Sequence, residues 1–263
     1  MKELILIKLG GSLITDKNQP FTEKPLVIRR LAEEIHQARQ QSEKLVIIGH
    51  GGGSYPHVPA LKFKTNEGVI GENSFQGIAE VQDAAARLNR IVVKTFLEIG
   101  ERAISFSPSS FTISKNRKIK DSFLTPLLRT LDFKMLPVVY GDVVLDLKIG
   151  CCILSTETIL NHLAINLRKK FKVEKIIYTG ITDGVYDQAG KTISTINQVQ
   201  FRKLKRYLGG SAGIDVTGGM LHKVEESLKL AKLGVETIII NGAKANNLEK
   251  AILGKRVRGT WVG

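Results

Sequence analysis

The residues that decide the fold are Glu3-Leu4-Ile5-Leu6-Ile7-Lys8-Leu9-Gly10-Gly11-Ser12, an apolar run that ends in a glycine pair. A short apolar run of this kind, bounded by glycine, is typical of a strand that is buried on both faces of a parallel sheet. A second run, Leu45-Val46-Ile47-Ile48-Gly49, is again followed by glycines at positions 51–53. The two runs therefore predict two strands of one sheet, each of which opens into a glycine-rich loop.

Helical spacing alternates with strand-like runs along the chain. Val27, Leu31, Ile35 and Ala38 recur at intervals of three and four residues after Pro25, which predicts a helix over about 25–41. Similar patterns predict helices near 76–99, 157–170 and 219–233, strands near 102–106, 135–140, 174–179 and 236–240, and a short final helix and strand. This alternation predicts an α/β fold, a three-layer αβα sandwich with a mainly parallel central sheet.

The composition is that of a globular protein. The chain has 263 residues, of which 43% are hydrophobic and 24% are charged, and no apolar run is long enough to cross a bilayer. The first apolar run is too short for a signal peptide. Cys151 and Cys152 are adjacent and cannot form an ordinary structural disulfide with each other. We therefore expect a cytoplasmic protein without membrane insertion.

The charge balance indicates an anionic partner. Lys and Arg number 39 against 25 Asp and Glu, a formal net charge of +14. Nucleic acid, an anionic membrane surface and phosphorylated small molecules could each account for it. The two densest basic clusters, at 168–170 and 202–206, stand beside apolar residues at helical spacing, and we interpret them as solvated helix faces. Neither is interleaved with aromatic residues, so no nucleic-acid partner is predicted.

The glycine loops indicate phosphate binding. In α/β proteins, ligands bind where the carboxyl ends of parallel strands meet. Glycines there allow backbone N–H groups to turn toward an anion, and Lys8 adds a positive charge directly before the first pair. Turn geometry alone is the alternative explanation for each loop. Neither loop has P-loop or dinucleotide-binding spacing, so a nucleotide would be bound in another way.

Three motifs together resemble the amino acid kinase superfamily: residues 8–12, the triple glycine at 51–53, and Asp215-Val216-Thr217-Gly218-Gly219-Met220 with Lys223. Residues 12–17 and 137–144 make the chain look, within that superfamily, like the isopentenyl phosphate kinases. The resemblance implies ATP-dependent phosphoryl transfer to a small phosphate monoester, with isopentenyl phosphate as the expected acceptor. It also implies a homodimer and one domain over 1–263, with an acceptor-binding lobe over about 1–174 and a nucleotide-binding lobe over about 175–263.

The resemblance also assigns roles to single residues. Lys8, Lys17, His57 and Glu157 are the expected catalytic residues, with His57 on the acceptor phosphate and Glu157 orienting the lysines. The expected nucleotide contacts are Lys8, Gly10, Gly11, Ser12, Gly53, Asp183, Gly184, Gly218, Gly219 and Lys223. The expected acceptor contacts are Gly52, Gly53, His57, Ser155 and Thr156. No metal-ligand cluster is visible, so Mg²⁺ is expected to arrive on the ATP phosphates.

The sequence departs from the family pattern at Glu157 and at Pro56, the residue directly before His57. Pro56 stands where the family has glycine, and Glu157 stands where it often has aspartate. A fosfomycin-type phosphonate kinase could use the same histidine, and carbamate, glutamate or nucleoside monophosphate kinases would share the nucleotide half. A non-catalytic anion-binding relative is the alternative of a different class, although Lys8, Lys17 and Lys223 argue against it. Asp142 and Asp146 are expected to flank a β-turn near the acceptor, with no assigned role.

Overall fold

The computed structural model describes residues 1–208 and 218–263, so the motif residues Asp215, Val216 and Thr217 lie outside the described residues. Its strands are β1 (Glu3–Leu9), β2 (Leu45–His50), β3 (Ala103–Ser105), β4 (Thr112–Lys115), β5 (Lys118–Ser122), β6 (Leu136–Tyr140), β7 (Asp142–Asp146), β8 (Gly150–Leu154), β9 (Lys172–Gly180), β10 (Thr195–Ile196), β11 (Glu236–Asn241) and β12 (Gly259–Val262). Its α-helices are α1 (Gly11–Ile14), α2 (Pro25–Gln40), α3 (His57–Lys62), α4 (Asn73–Glu98), α5 (Pro108–Phe111), α6 (Thr125–Asp132), α7 (Thr156–Leu167), α8 (Gln198–Leu208), α9 (Gly218–Ala231) and α10 (Asn247–Ile252).

The central sheet has eight strands in the order β10-β12-β11-β9-β1-β2-β6-β3. Its pairs are parallel except for β12 on β11. Leu4 and Leu6 pack into the apolar cluster on one face, with residues of α7 and α9, while Ile5 and Ile7 pack on the other face, with residues of α2 and α10. Alternate side chains of one apolar strand therefore pack into two separate cores, one on each face of the sheet. The predicted three-layer αβα sandwich is confirmed.

The predicted long helices are present with nearly the predicted bounds. Pro25 is at the first position of α2, where its missing N–H costs nothing, and Ile28, Leu31 and Ile35 are buried against the sheet. In α4, the stripe that contains Val81, Leu88 and Val92 is buried as well.

A second, smaller sheet in the order β5-β4-β7-β8 was not predicted. Asp142 and Asp146 are the first and last residues of β7, so the residues between them form a strand and the turn predicted there is wrong. The nearly buried carboxylate of Asp146 accepts the N–H groups of Asn116, Arg117, Lys148 and Ile149. Asp146 therefore stabilises both the turn between β4 and β5 and the turn between β7 and β8.

The two predicted lobes share the central sheet. The boundary expected near residue 175 falls inside β9, which pairs with β1 on one side and β11 on the other. The division into lobes stays a prediction. Among residues 1–208 and 218–263, no helix is both long enough and apolar enough to cross a membrane.

Candidate active site

The two glycine loops interlock at the carboxyl ends of β1 and β2. A Cβ atom added to Gly11 would lie 2.5 Å from the backbone nitrogen of Gly53. A Cβ atom added to Gly51 would lie 2.7 Å from the nitrogen of Gly11. Both distances are far below van der Waals contact, so only glycine permits this approach. The close packing of the loops brings their backbone groups together at one edge of the sheet.

Thr15 ties the first loop to the second. Its Oγ1 donates to the carbonyl of Gly11 at 2.8 Å and accepts the N–H of Ser54 at 3.0 Å. Gly53 turns beside this hydroxyl with φ of +56°, a conformation that favours glycine. Thr15 was not among the predicted site residues, because a lone threonine after an apolar run carries no signal of its own.

A carboxylate flanked by two lysines lies next to the loops. The ammonium group of Lys8, at the end of β1, forms an ion pair with Glu157 in the first turn of α7. The Nζ atom of Lys223, on α9, lies 3.8 Å from the same Oε1 atom. The Lys8 side chain also passes the second loop, since its Cε atom is 3.7 Å from the position of a Cβ on Gly51. The structure thus brings together three predicted site residues from three elements.

The three charges perturb one another because their side chains are largely buried, with exposed fractions of 12%, 17% and 20% for Lys8, Glu157 and Lys223. Burial alone would raise the pKa of Glu157, but the ammonium groups of Lys8 and Lys223 hold it below its usual value. Burial and the charge of Lys8 lower the pKa of Lys223, while Glu157 acts in the opposite direction. Glu157 therefore keeps two cations close together that would otherwise repel each other.

The start of α7 is fixed by its neighbours. Ser155 caps the helix, and its Oγ accepts the N–H of Thr158 at 3.1 Å. The buried hydroxyl of Thr156 donates to the carbonyl of His50 at 2.7 Å. The Thr156 hydroxyl is thus committed to the protein, so its predicted contact with the acceptor would have to use its backbone.

Lys17 and His57 are both exposed. Lys17 lies in the segment that follows α1, which is closed by a hydrogen bond from Asp16 N–H to the carbonyl of Thr22 at 2.8 Å. His57 is the first residue of α3, where the sequence analysis expected a helix to begin. Within residues 1–208 and 218–263, neither side chain forms a hydrogen bond or an ion pair. The structure does not join either of them to the Lys8–Glu157–Lys223 group.

The predicted nucleotide contact Asp183 is already engaged. Its carboxylate accepts hydrogen bonds from Asn241 at 2.9 Å and from Lys244 at 2.7 Å. Lys244 and Asn241 lower the pKa of Asp183. Gly184 follows with φ of +124° and has no room for a side chain beside Thr260. Asn241 and Lys244, which were not among the predicted site residues, fix this loop against the end of β11.

The last predicted nucleotide contacts are at the start of α9. Gly218 and Gly219 are its first two residues, and Lys223 follows in the second turn. The part of the motif that precedes them is outside the described residues.

A sequence model of the amino acid kinase family matches residues 3–241. The chain belongs to the amino acid kinase family. As a member of the amino acid kinase family it is a small-molecule kinase that uses ATP.

Several members of the amino acid kinase family are similar over nearly their whole length. An isopentenyl phosphate kinase from Methanocaldococcus jannaschii is 37% identical over 98% of this chain and 98% of its own. Another, from Methanothermobacter thermautotrophicus, is 34% identical with the same coverage of both chains. A solved isopentenyl phosphate kinase structure matches 98% of this chain and 100% of its own with a TM-score of 0.82 at 31% identity. A UMP kinase from Ureaplasma parvum, at 16% identity and a TM-score of 0.63, shares the fold.

Proposed function

We propose that the protein phosphorylates isopentenyl phosphate with ATP, giving isopentenyl diphosphate and ADP. The observation that carries the proposal is the Lys8–Glu157–Lys223 group beside two interlocked glycine loops. The two lysines supply fixed positive charge, and the loops supply backbone N–H groups at the same edge of the sheet. A site for two phosphorylated substrates requires both. The relatives named as isopentenyl phosphate kinases support the choice of acceptor.

Lys8 and Lys223 are proposed to hold the ATP phosphates. An oxygen of the acceptor phosphate bonds to the γ-phosphorus of ATP, and the bond from that phosphorus to the β-phosphate oxygen breaks. Negative charge moves toward the leaving ADP during this step, so fixed lysines stabilise the transition state more than the separated substrates. Glu157 holds the two lysines in place and takes no proton.

His57 and Lys17 are proposed to serve the acceptor side. A phosphate monoester with a second pKa near ~6 is already largely dianionic at neutral pH, so it needs no general base. It needs hydrogen-bond donors and positive charge, because two anions must approach each other. His57 stands where α3 begins, directly after the second glycine loop, and Lys17 is on the segment bound to that loop through the contact of Phe21 N–H with the Ser54 carbonyl.

Mg²⁺ is proposed to enter on the ATP phosphates. Among the described residues, no group of three or more His, Cys, Asp or Glu side chains could hold a metal. The one carboxylate of the charged group, Glu157, is already paired with lysines. The site therefore fits a Mg²⁺ ion that is held by the phosphate oxygens and that shields the charge of the phosphates. The expected homodimer is part of the proposal and can be measured by light scattering.

A panel of acceptors tests the function. The protein would be incubated with MgATP and, separately, isopentenyl phosphate, fosfomycin, UMP, glutamate and carbamate, and the products would be followed by ³¹P NMR. We expect a diphosphate product from isopentenyl phosphate. Turnover of fosfomycin or UMP with no product from isopentenyl phosphate would contradict the proposed acceptor. No turnover with any member would favour the non-catalytic alternative.

The variant His57→Ala tests the proposed acceptor contact. We expect kcat/KM for isopentenyl phosphate to fall about 10- to 100-fold, because one hydrogen bond to a charged group is lost. ATP binding, measured by calorimetry, should stay unchanged. His36→Ala, on α2, is the matched control and should behave as wild type. An equal loss of ATP binding and acceptor use in His57→Ala would mean that His57 is structural.

A further inference from the structure

A second histidine, His50, is buried where β2 enters the second glycine loop. Its side chain is fully buried, and its ring stacks on that of Tyr140 with centroids 5.5 Å apart. Nδ1 lies 3.2 Å from the carbonyl oxygen of Gly51, and Nε2 lies 3.1 Å from Nδ2 of Asn89 on α4. Ser105, the last residue of β3, donates its hydroxyl to Oδ1 of the same asparagine. The imidazole is therefore held by groups from the loop and from α4.

These contacts fix the protonation of the ring. A carbonyl oxygen only accepts, so Nδ1 must carry the proton that bonds Gly51. The Asn89 oxygen is occupied by the Ser105 hydroxyl, so the Asn89 amide donates and Nε2 must accept. Burial lowers the pKa of His50 to about 4, which keeps the imidazole neutral at physiological pH. The network thus selects the neutral Nδ1–H tautomer.

The contact with Gly51 also orients the next peptide N–H. In a trans peptide, the carbonyl of one residue and the N–H of the following residue point in opposite directions. Holding the Gly51 carbonyl against the buried ring therefore turns the Gly52 N–H away from it. Gly51 is held from its other side too, because its N–H donates to the carbonyl of Leu9 at 2.9 Å. Among the described residues, the N–H groups of Gly52 and Gly53 have no hydrogen-bond acceptor.

We propose that His50 is a positioning residue for acceptor binding, which through the Gly51 carbonyl aims the Gly52 N–H at the acceptor phosphate. The proposal rests on the proposed function. The main chain of His50 strengthens it, because the His50 carbonyl accepts the Thr156 hydroxyl at 2.7 Å and the Gly141 N–H at 3.2 Å. One residue thus connects the glycine loop with the start of α7 and with the residue that follows β6.

Two conservative variants separate the two ring contacts. In His50→Asn, the amide nitrogen can occupy the place of Nδ1 and still donate to the Gly51 carbonyl. In His50→Gln, the longer amide reaches the place of Nε2, so it keeps the Asn89 contact and loses that to Gly51. We expect His50→Gln to raise the acceptor KM about fivefold or more, with the ATP KM unchanged, and His50→Asn to restore most of the difference.

The control for the loss of a histidine is His36→Gln on α2, whose ring bonds to Glu101 instead of to the loop. It should leave both KM values unchanged. Equal changes of the acceptor KM and the ATP KM in His50→Gln, or equal effects of the two His50 variants, would overturn the proposal.

The tautomer can be measured without substrate. Long-range ¹H–¹⁵N correlation spectra of the wild-type protein, with the signals of His50 assigned, should show that its imidazole stays neutral, with the proton on Nδ1, from pH 5.5 to 8. A proton on Nε2 of His50, or titration of His50 within that range, would overturn the proposal even if the variants fail to fold. If isopentenyl phosphate is not turned over, the proposed function fails alone, and the kinetic comparison uses the acceptor that the panel identifies.

Discussion

At the scale of single residues, the site depends on a carboxylate that holds like charges together. Lys8 and Lys223 both approach Oε1 of Glu157 in a setting where solvent screens them little. Breaking a buried pair by neutralising one partner is strongly destabilising, because the remaining charge is uncompensated. If Glu157 is neutralised, the charges that remain are those of two lysines. The largest effect should therefore be on phosphate binding, which needs their positive charge.

Glu157→Gln should lower kcat/KM and move its basic limb to lower pH. Lys223 must be protonated to bind phosphate, and its pKa is already lowered by burial and by Lys8. Glu157 is the group that raises it, so removing the carboxylate lowers the pKa of Lys223 further, and the proton is lost at a lower pH. The measurement is the pH profile of kcat/KM. Glu33→Gln, on the exposed side of α2, is the control, and an unshifted basic limb would contradict the role of Glu157.

The carboxylate of Asp146 contributes to the stability of the folded protein. Burial would raise its pKa, but hydrogen bonds from Arg117, Lys148, Ile149 and Ser114 lower it well below the usual range. A depressed pKa stabilises the folded state above the unfolded value of about 3.9, and this contribution is lost as the pH falls through the folded pKa.

We therefore expect Asp146→Asn to reduce the free energy of unfolding by about 2 kcal/mol at pH 7, because charged hydrogen bonds are lost and an amide faces N–H donors. The deficit should shrink as the pH falls below about 4. Urea unfolding at several pH values measures both. Asp83→Asn, which is exposed on α4, should change little. A deficit that is independent of pH would contradict the assignment.

At the scale of elements, the sequence predicts what local patterns encode. The apolar runs of β1, β2 and β11 and the periodic faces of α2 and α4 are visible because each element buries its own side chains in a regular order. The second sheet was missed because its strands lack such order, and not because of their length, since the equally short β3 and β6 were predicted. In β5, Lys118-Ile119-Lys120-Asp121-Ser122, no side chain is fully buried, and pairing depends on a partner elsewhere in the chain.

The candidate site shows the same limit. The motifs indicate Lys8, Lys223 and the glycines, because each carries a residue type that phosphate binding requires. One pair of supporting partners is invisible in the sequence: His50 meets Asn89 across 39 residues. The pairing of Lys8 with Glu157, across 149 residues, was expected only from the family resemblance. Only the fold decides which polar side chain lies beside which loop.

The interlocked loops allow a test at this scale. Gly11→Ala should reduce kcat/KM strongly, because its methyl group would lie 2.5 Å from the Gly53 nitrogen and force the loops apart. Gly71→Ala is the matched control, since nothing lies within 4 Å of a Cβ at that position. Steady-state kinetics and thermal unfolding of both variants decide the matter. Equal activity of the two variants would contradict the close approach of the loops.

At the scale of the whole molecule, the predicted lobes are joined through the middle of one sheet. β1, from the expected acceptor half, pairs with β9, whose residues 175–180 belong to the expected nucleotide half. One apolar cluster contains Leu4 and Val139 together with Ile176 and Ile239. Separating the halves would expose this cluster and leave two strand edges unpaired, both of which are costly. The halves should therefore unfold together.

The single tryptophan, Trp261 in β12, reports on the nucleotide half, whereas far-ultraviolet circular dichroism reports on the whole chain. We expect the two urea transitions to coincide, because a cooperative unit has no populated intermediate. ATP at about 100 times its Kd should raise the free energy of unfolding by about 2.7 kcal/mol, whichever of the two signals is followed. The double variant Phe133→Trp, Trp261→Phe moves the reporter to an exposed site in the acceptor half and should give the same midpoint. Two separate midpoints would mean that the lobes are independent folding units despite the strand pair that joins them.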